Sequence, residues 1–223
     1  MPDEPVDRVL VVTAHPDDAE FHFGATIAAF VAGGADVSYL VCSDGAQGGD
    51  AEVRAREQRA AAAVLGVRAV AFLGRRDGRL EPDLALRRDI ALHVRRERPT
   101  LVLTHYPRRV LDLPVEASHP DHVAVGEATL AALYPDAGNA RAFPDVPDAP
   151  PPHQVAEVWV PGYERPDHHV DATAHVDRKL AAIRCHRSQI GAAVPAWVLE
   201  WMRLAGKQPG HEFAEAFRRI RLT

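Results

Sequence analysis

Short runs rich in Val, Leu and Ile alternate along this chain with longer Ala-, Leu- and Arg-rich stretches of helical period. That alternation restricts it to βα units and a mostly parallel sheet. Strands are expected at Arg8 to Thr13, Asp36 to Cys42, Ala69 to Leu73, Thr100 to Thr104 and Gln154 to Val160. Helices are expected from about Phe21 to Ala32, Glu52 to Leu65, Leu84 to Glu97, His119 to Leu133 and Ala174 to Ser188. Trp197, Trp201, Phe213 and Phe217 follow at helical spacing, which reads as core or as a contact between copies. Residues 135–152 are rich in Pro, Asp and Ala without a period, so a flexible surface excursion is expected there.

A chain of 223 residues with 47% apolar and 26% charged residues buries a core without disulfides. One domain is expected over 1–223. The 26 basic residues against 31 acidic ones leave a net charge of −5, with no basic excess for a phosphate backbone, which argues against nucleic acid as a partner. No apolar run approaches the roughly 20 residues of a membrane helix. The acidic opening MPDEPVDRVLVV has no basic n-region or cleavage site. Cys42 and Cys185 are isolated and form no CxxC pair, so a cytoplasmic location is expected.

In open α/β sheets function collects in the loops leaving the carboxyl ends of strands. The glycine-rich loop SDGAQGGD after the second strand lacks both GxGxxG spacing and the GK[ST] of a P-loop, so it is a weak nucleotide signal. AHPDDAE (14–20) follows the first strand, and HPDH (119–122) opens a later helix. Each sets two potential ligands three residues apart around a proline: His15 with Asp18, and His119 with His122. A catalytic zinc site needs about three N/O ligands and one open position. Helix capping is the competing account of the first motif, because Asp17, Asp18 and Glu20 complement a helix dipole and Pro16 suits a first turn. A second motif of the same kind at another strand-to-helix junction favours metal binding.

The two motifs together resemble the LmbE-like (PIG-L) family of zinc-dependent N-acetylglucosaminyl deacetylases. RAREQRAAAAVLGV is similar to that family's RxxE helix, LGRRDGRL to its third-strand loop, and AIRCHRSQ to its C-terminal HxSQ helix. The resemblance implies a Rossmann-like three-layer α/β fold, one Zn2+ per subunit, and hydrolysis of the acetyl group from an N-acetylglucosamine-like moiety of a small conjugate, such as a thiol precursor or a natural-product glycoside. Residue by residue, it makes His15, Asp18 and His122 the metal ligands and Asp17 the general base. It makes His119 the group that polarises the carbonyl or protonates the amine, and gives Asp121 the role of orienting a histidine. It assigns sugar hydroxyls to Arg54 and Asp77, where a solvated helix charge and a turn aspartate are equally good readings.

The sequence departs from the family pattern where His22 and Ala25 replace glycines and where Ala46 replaces an acidic residue after Gly45. Tyr106, Arg108 and Arg109 lie in the long loop before HPDH, at a candidate substrate entrance. The expected partner is a small amino-sugar conjugate, with no membrane, and with a homo-oligomer suggested by the aromatic tail and the family resemblance. Two other functions fit the same residues. One is a zinc amidase acting on a different amide, such as a thiol conjugate or an N-acyl amino acid; the other is a non-catalytic module that binds metal or a small molecule.

Overall fold

The expected strands assemble into one sheet in a computed structural model that describes residues 6–191 and 193–222. The first four βα units are β1 (Arg8–Thr13) with α1 (Asp18–Ala32), β2 (Asp36–Ser43) with α2 (Ala51–Leu65), β3 (Ala69–Arg75) with α3 (Leu84–Glu97), and β4 (Leu101–Thr104) with α4 (Pro120–Ala131). They are followed by β5 (Glu157–Pro161), β6 (His168–Asp171), α5 (Val176–Ile183), α6 (Arg187–Ile190), α7 (Trp197–Lys207) and β7 (Ala214–Arg221). The strand order is β3-β2-β1-β4-β5-β7-β6. The first five run parallel, and β7 is antiparallel to both β5 and β6.

Alternation along β1 fills both faces of the sheet. Leu10 and Val12 pack with Leu86, Ile90 and Val94 of α3 and Val125 of α4. Val9 and Val11 face Phe23, Ile27 and Phe30 of α1 and Leu65 of α2. The result is the three-layer arrangement the resemblance implies. Local chemistry sets the helix ends: Asp50 and Asp83 accept from Val53 N and Leu86 N as N-caps, and Gly66 closes α2 at φ 81°, a backbone conformation open to glycine. Among the described residues no helix is long and apolar enough to cross a membrane.

Two expectations about the tail need correction. Trp197 and Trp201 lie on α7, but Phe213 precedes β7 and Phe217 lies within it, paired with His168, so the four aromatics do not share a helix. Their spacing matches a helical period by coincidence, because a helix and an antiparallel strand meet within the segment. The helix expected from Ala174 to Ser188 is two pieces, α5 ending at Ile183 and α6 starting at Arg187. The excursion at 135–152 is pinned where it begins. Asp136 pairs with Arg87 at 2.9 Å, and buried Arg95 donates to the carbonyls of Asp136, Ala137 and Asn139.

The terminal elements also grip α1. Buried Lys179 of α5 donates to Glu215 of β7 and to Phe21 O, both at 2.6 Å, while Glu215 accepts from Ala25 N and Thr26 N. An ion pair is thereby set against the backbone of the helix whose first turn carries the AHPDDAE motif.

Candidate metal centre and active site

β1 hydrogen-bonds to β2 on one side and β4 on the other, so the chain leaves β1 and β4 in opposite directions and opens a crevice at their carboxyl ends. Every polar motif converges there: His15 to Glu20 after β1, Gly45 after β2, Asp77 after β3, His105 after β4, and His119 to His122 at the start of α4.

Three donor groups face one another in the crevice. His15 Nδ1 lies 3.2 Å from His122 Nε2 and 3.5 Å from Asp18 Oδ2, and His122 Nε2 lies 3.1 Å from Asp18 Oδ1. Ligands bound at about 2.0–2.1 Å to a tetrahedral ion stand ~3.3 Å apart, so this triangle fits a zinc-sized cation with one side open. His119 also comes within reach of His15 and His122, but its Nδ1 accepts from Asp121 N as the cap of α4.

The back of His15 is held as firmly as its front. Its Nε2 lies 3.0 Å from Asp77 Oδ1 and 3.1 Å from Asp121 Oδ2, which aims Nδ1 at Asp18 and His122. Asp121 accepts further from Gly78 N and Leu80 N, and Asp77 from Gln47 N. Burial opposes a charge on His15, yet hydrogen bonds to Asp121 and Asp18 and the charges of Asp18 and Asp77 outweigh it and raise its pKa to about 10. Burial likewise opposes ionisation of Asp18, and the charges of His122 and His105 overcome it, holding Asp18 well below the usual range. A cluster with three carboxylates attracts positive charge, which a proton on His15 supplies in the metal-free protein and a divalent cation would supply better.

Asp17 is the N-cap of α1 at φ 107°, a left-handed conformation unusual for a residue with a side chain. Buried groups hold it there. Gln58 Oε1 accepts Asp17 N–H at 2.8 Å, and Gln58 Nε2 donates to both oxygens of Glu20 at 3.0 Å. The same Glu20 carboxylate takes His186 Nε2 at 3.0 Å. Arg54 donates to Pro16 O and Gly45 O at 2.7 Å and reaches Asp17 Oδ2 at 3.3 Å. Burial and the neighbouring Asp18 charge, opposed by Arg54, push the Asp17 pKa up to about 7. A carboxyl in that range can both take and return a proton near neutral pH.

His119 stands edge-on to His15, with ring centres 4.9 Å apart. Burial and the charges of His15 and His122 lower its pKa. Because Nδ1 accepts from Asp121 N, the hydrogen-bond network assigns the proton of the neutral ring to Nε2, as a donor.

The structure thus gathers His15, Asp17, Asp18, His119, Asp121 and His122 in one crevice. Arg54 and Asp77 are neither solvated nor free: both are buried and bonded to that group. Sequence reasoning missed His105, whose buried Nε2 lies 3.0 Å from Ala14 N and 3.1 Å from Asp18 Oδ2, and which burial brings to a pKa of about 4. Its place as the first residue past β4, at the carboxyl end of the sheet, was the available signal. It also missed the Gln58–Glu20–His186 network, which gives the HRSQ segment its place in the fold.

Comparison with known proteins converges on one family. Residues 10–133 match the family described as PIG-L, GlcNAc-PI de-N-acetylase. A diacetylchitobiose deacetylase of Thermococcus kodakarensis is 33% identical, the match covering 96% of this chain and 83% of that protein. A probable N-acetyl-alpha-D-glucosaminyl L-malate deacetylase of Bacillus anthracis is 30% identical over 84% of this chain and 83% of its own length. Among solved structures, the N,N'-diacetylchitobiose deacetylase of Pyrococcus horikoshii superposes with a TM-score of 0.85 at 27% identity, covering 97% of this chain and 84% of that one.

Proposed function

The chain belongs to the PIG-L family of de-N-acetylases, and on that premise we propose that it is a zinc-dependent hydrolase removing acetyl from an N-acetylglucosamine-like group of a small conjugate. What carries the reading is the His15–Asp18–His122 triangle, with the carboxyl of the adjacent residue Asp17 within reach of the Asp18 and His15 charges and with His119 edge-on to His15.

A divalent ion held by His15, Asp18 and His122, one per subunit, would supply Lewis acidity to the acetyl carbonyl and to water. Two imidazoles and one carboxylate suit zinc. Asp17 then takes the proton of the water that adds to the carbonyl carbon. When the C–N bond breaks, the proton goes to the departing nitrogen, leaving acetate and a free amine. A carboxyl near 7 takes the water proton more readily than one near 4 and holds it at neutral pH until the amine departs. His119 Nε2–H hydrogen-bonds the carbonyl oxygen as it gains negative charge. Asp77 and Asp121 position His15, while Arg54 and Gln58 position Asp17. The two free cysteines suit a reducing cytoplasm.

The test is acetate and free-amine release by the zinc-loaded protein from a panel of N-acetylglucosaminyl conjugates. Turnover is expected in the wild type, with Asp17→Asn inactive but retaining zinc and His122→Ala losing it. Stoichiometric zinc with no release from any conjugate would overturn the reading, and full activity of Asp17→Asn would remove that residue as the base.

A further inference from the structure

Outside the metal crevice, a groove of about 470 Å³ lies between α2 and the turn that joins α5 to α6. Arg56 and Glu57 line it from α2, and Arg184, Cys185 and Arg187 line it from the other side. Ala60 and Ala181 complete the lining, and their small side chains leave the space between the helices open. His186, between Cys185 and Arg187 in the chain, turns away from the groove and is buried against Glu20 at 3.0 Å. The groove therefore sits on the outer side of the segment that supports the crevice from within.

Charge in the groove is unbalanced. Its one carboxylate, Glu57, already accepts from Ser188 N at 2.9 Å and from Ser188 Oγ at 2.6 Å. Arg56 reaches only Glu52, at 4.0 Å, where both side chains are largely exposed. Among the described residues, the guanidinium groups of Arg184 and Arg187 have neither a hydrogen bond nor an ion pair. Three guanidinium groups thus surround one engaged carboxylate, in a chain whose net charge is −5.

We propose that Arg56, Arg184 and Arg187 form a binding site for a phosphate group, borne by a small organic molecule or present as the free ion. Guanidinium is planar, keeps its charge at any pH the fold survives, and presents paired N–H donors that match the oxygens of a phosphate. A phosphate monoester carries nearly two negative charges and three acceptor oxygens, enough to engage guanidinium groups from both walls at once. A single carboxylate has two oxygens and one charge and would leave part of this surplus unanswered. The space exceeds what phosphate alone fills and falls in the range of about 300–1,000 Å³ usual for small-molecule sites. Ala60, Ala181 and the Cys185 side chain offer apolar surface to the group that carries the phosphate. Binding there is independent of the metal and of the deacetylase reading, because none of the lining residues belongs to the crevice.

The experiment follows alkylation of Cys185 by iodoacetamide, read as intact mass, since Cys185 lines the groove and Cys42 is buried. Glucose 6-phosphate, inorganic phosphate and glucose are compared at one ionic strength in the wild type and in a double variant, Arg184→Gln with Arg187→Gln. Saturable protection by glucose 6-phosphate, none by glucose, and an affinity at least about tenfold lower in the double variant are expected. Tighter binding of glucose 6-phosphate than of inorganic phosphate assigns the groove to an organic phosphate, and equal binding assigns it to the free ion; both support the site. Because the two replaced side chains are exposed and unpaired, the double variant should keep the wild-type melting temperature without phosphate. If it melts lower, Arg56→Gln on the opposite wall serves in its place and should weaken protection in the same direction. Absence of protection by either phosphate at millimolar concentration overturns the proposal. Protection that survives the arginine replacements also overturns it, since the anion then binds elsewhere. Arginine-dependent binding to phosphatidylserine vesicles without protection by the small phosphates overturns it as well, and gives the arginines to a lipid surface.

Discussion

Replacing Gln58 by Leu should detach the candidate base from its support without touching a metal ligand. Leucine fills much the same buried space but offers neither the acceptor that takes Asp17 N–H at 2.8 Å nor the donor that meets both Glu20 oxygens at 3.0 Å. An unpaired buried N–H costs about 1–3 kcal/mol, and a lost hydrogen bond to a charged group about 1.5–3 kcal/mol. With the backbone held still, the variant would therefore be less stable by roughly 2.5–6 kcal/mol. The backbone has a way to relax, because a side-chain-bearing residue at φ 107° stores about 1–3 kcal/mol that is released if Asp17 turns toward ordinary geometry. That relaxation recovers part of the stability and carries the carboxylate out of line. A misplacement of about 1 Å lowers rate by roughly 10²-fold. The expected result is kcat reduced about 10²-fold, KM changed far less, zinc content unchanged and a measurable drop in the urea midpoint. Steady-state kinetics, metal analysis and urea unfolding on one preparation read all four. Native zinc content with kcat within about threefold of wild type would refute the idea that Gln58 positions Asp17.

Zinc binding should release close to one proton near pH 7, because His15 carries a proton up to about pH 10 in the metal-free protein and Nδ1 must lose it to bind. Calorimetry in buffers of different ionisation enthalpy measures this, and zero release would show His15 to be neutral beforehand. The same raised pKa stabilises the metal-free fold fully below about pH 6.5 and is lost as the pH rises toward 10, so the metal-free protein should weaken in alkali over that window. Lys179→Met leaves Glu215 buried without its partner, and chemical denaturation should show a loss of about 3–5 kcal/mol; a loss under about 1 kcal/mol would mean that Glu215 is neutral or solvated in the variant. Gly126→Ala would place a methyl 2.6 Å from His105 O and 2.9 Å from Pro107 Cα, so a lower melting temperature together with weaker zinc binding is expected, and unchanged values of both would show that the loop yields freely.

Much of the frame was legible because it follows from local pattern. The two-residue period of Val9 to Val12 fills two opposite cores, and Asp50, Asp83 and Gly66 mark helix ends through their own short-range chemistry. The tail was misread because a three- or four-residue aromatic spacing does not reveal where a helix gives way to a strand. Antiparallel β7 is recognised only through its partners β5 and β6. Arg54 and Asp77 illustrate a different limit. Their types suggested contacts with a ligand, but whether such a side chain meets solvent or a buried carbonyl depends on groups from distant parts of the chain.

AHPDD and HPDH each fix a local turn and gather imidazole and carboxylate side chains of the types that bind cations and move protons, and that much is legible in the chain alone. Only the tertiary structure decided what those side chains face. Asp121 and His15 are 106 residues apart and meet at 3.1 Å, and His186 reaches Glu20 across 166 residues. The first meeting depends on the parallel register that brings the carboxyl ends of β1, β3 and β4 to one edge of the sheet, and the second on α5 packing against α1 and α2. The burial they create then moves Asp17 toward 7 and His105 toward 4, since loss of water disfavours a charge and the like charges of Asp18 and His122 add to that, outweighing Arg54 beside Asp17 and Asp18 beside His105.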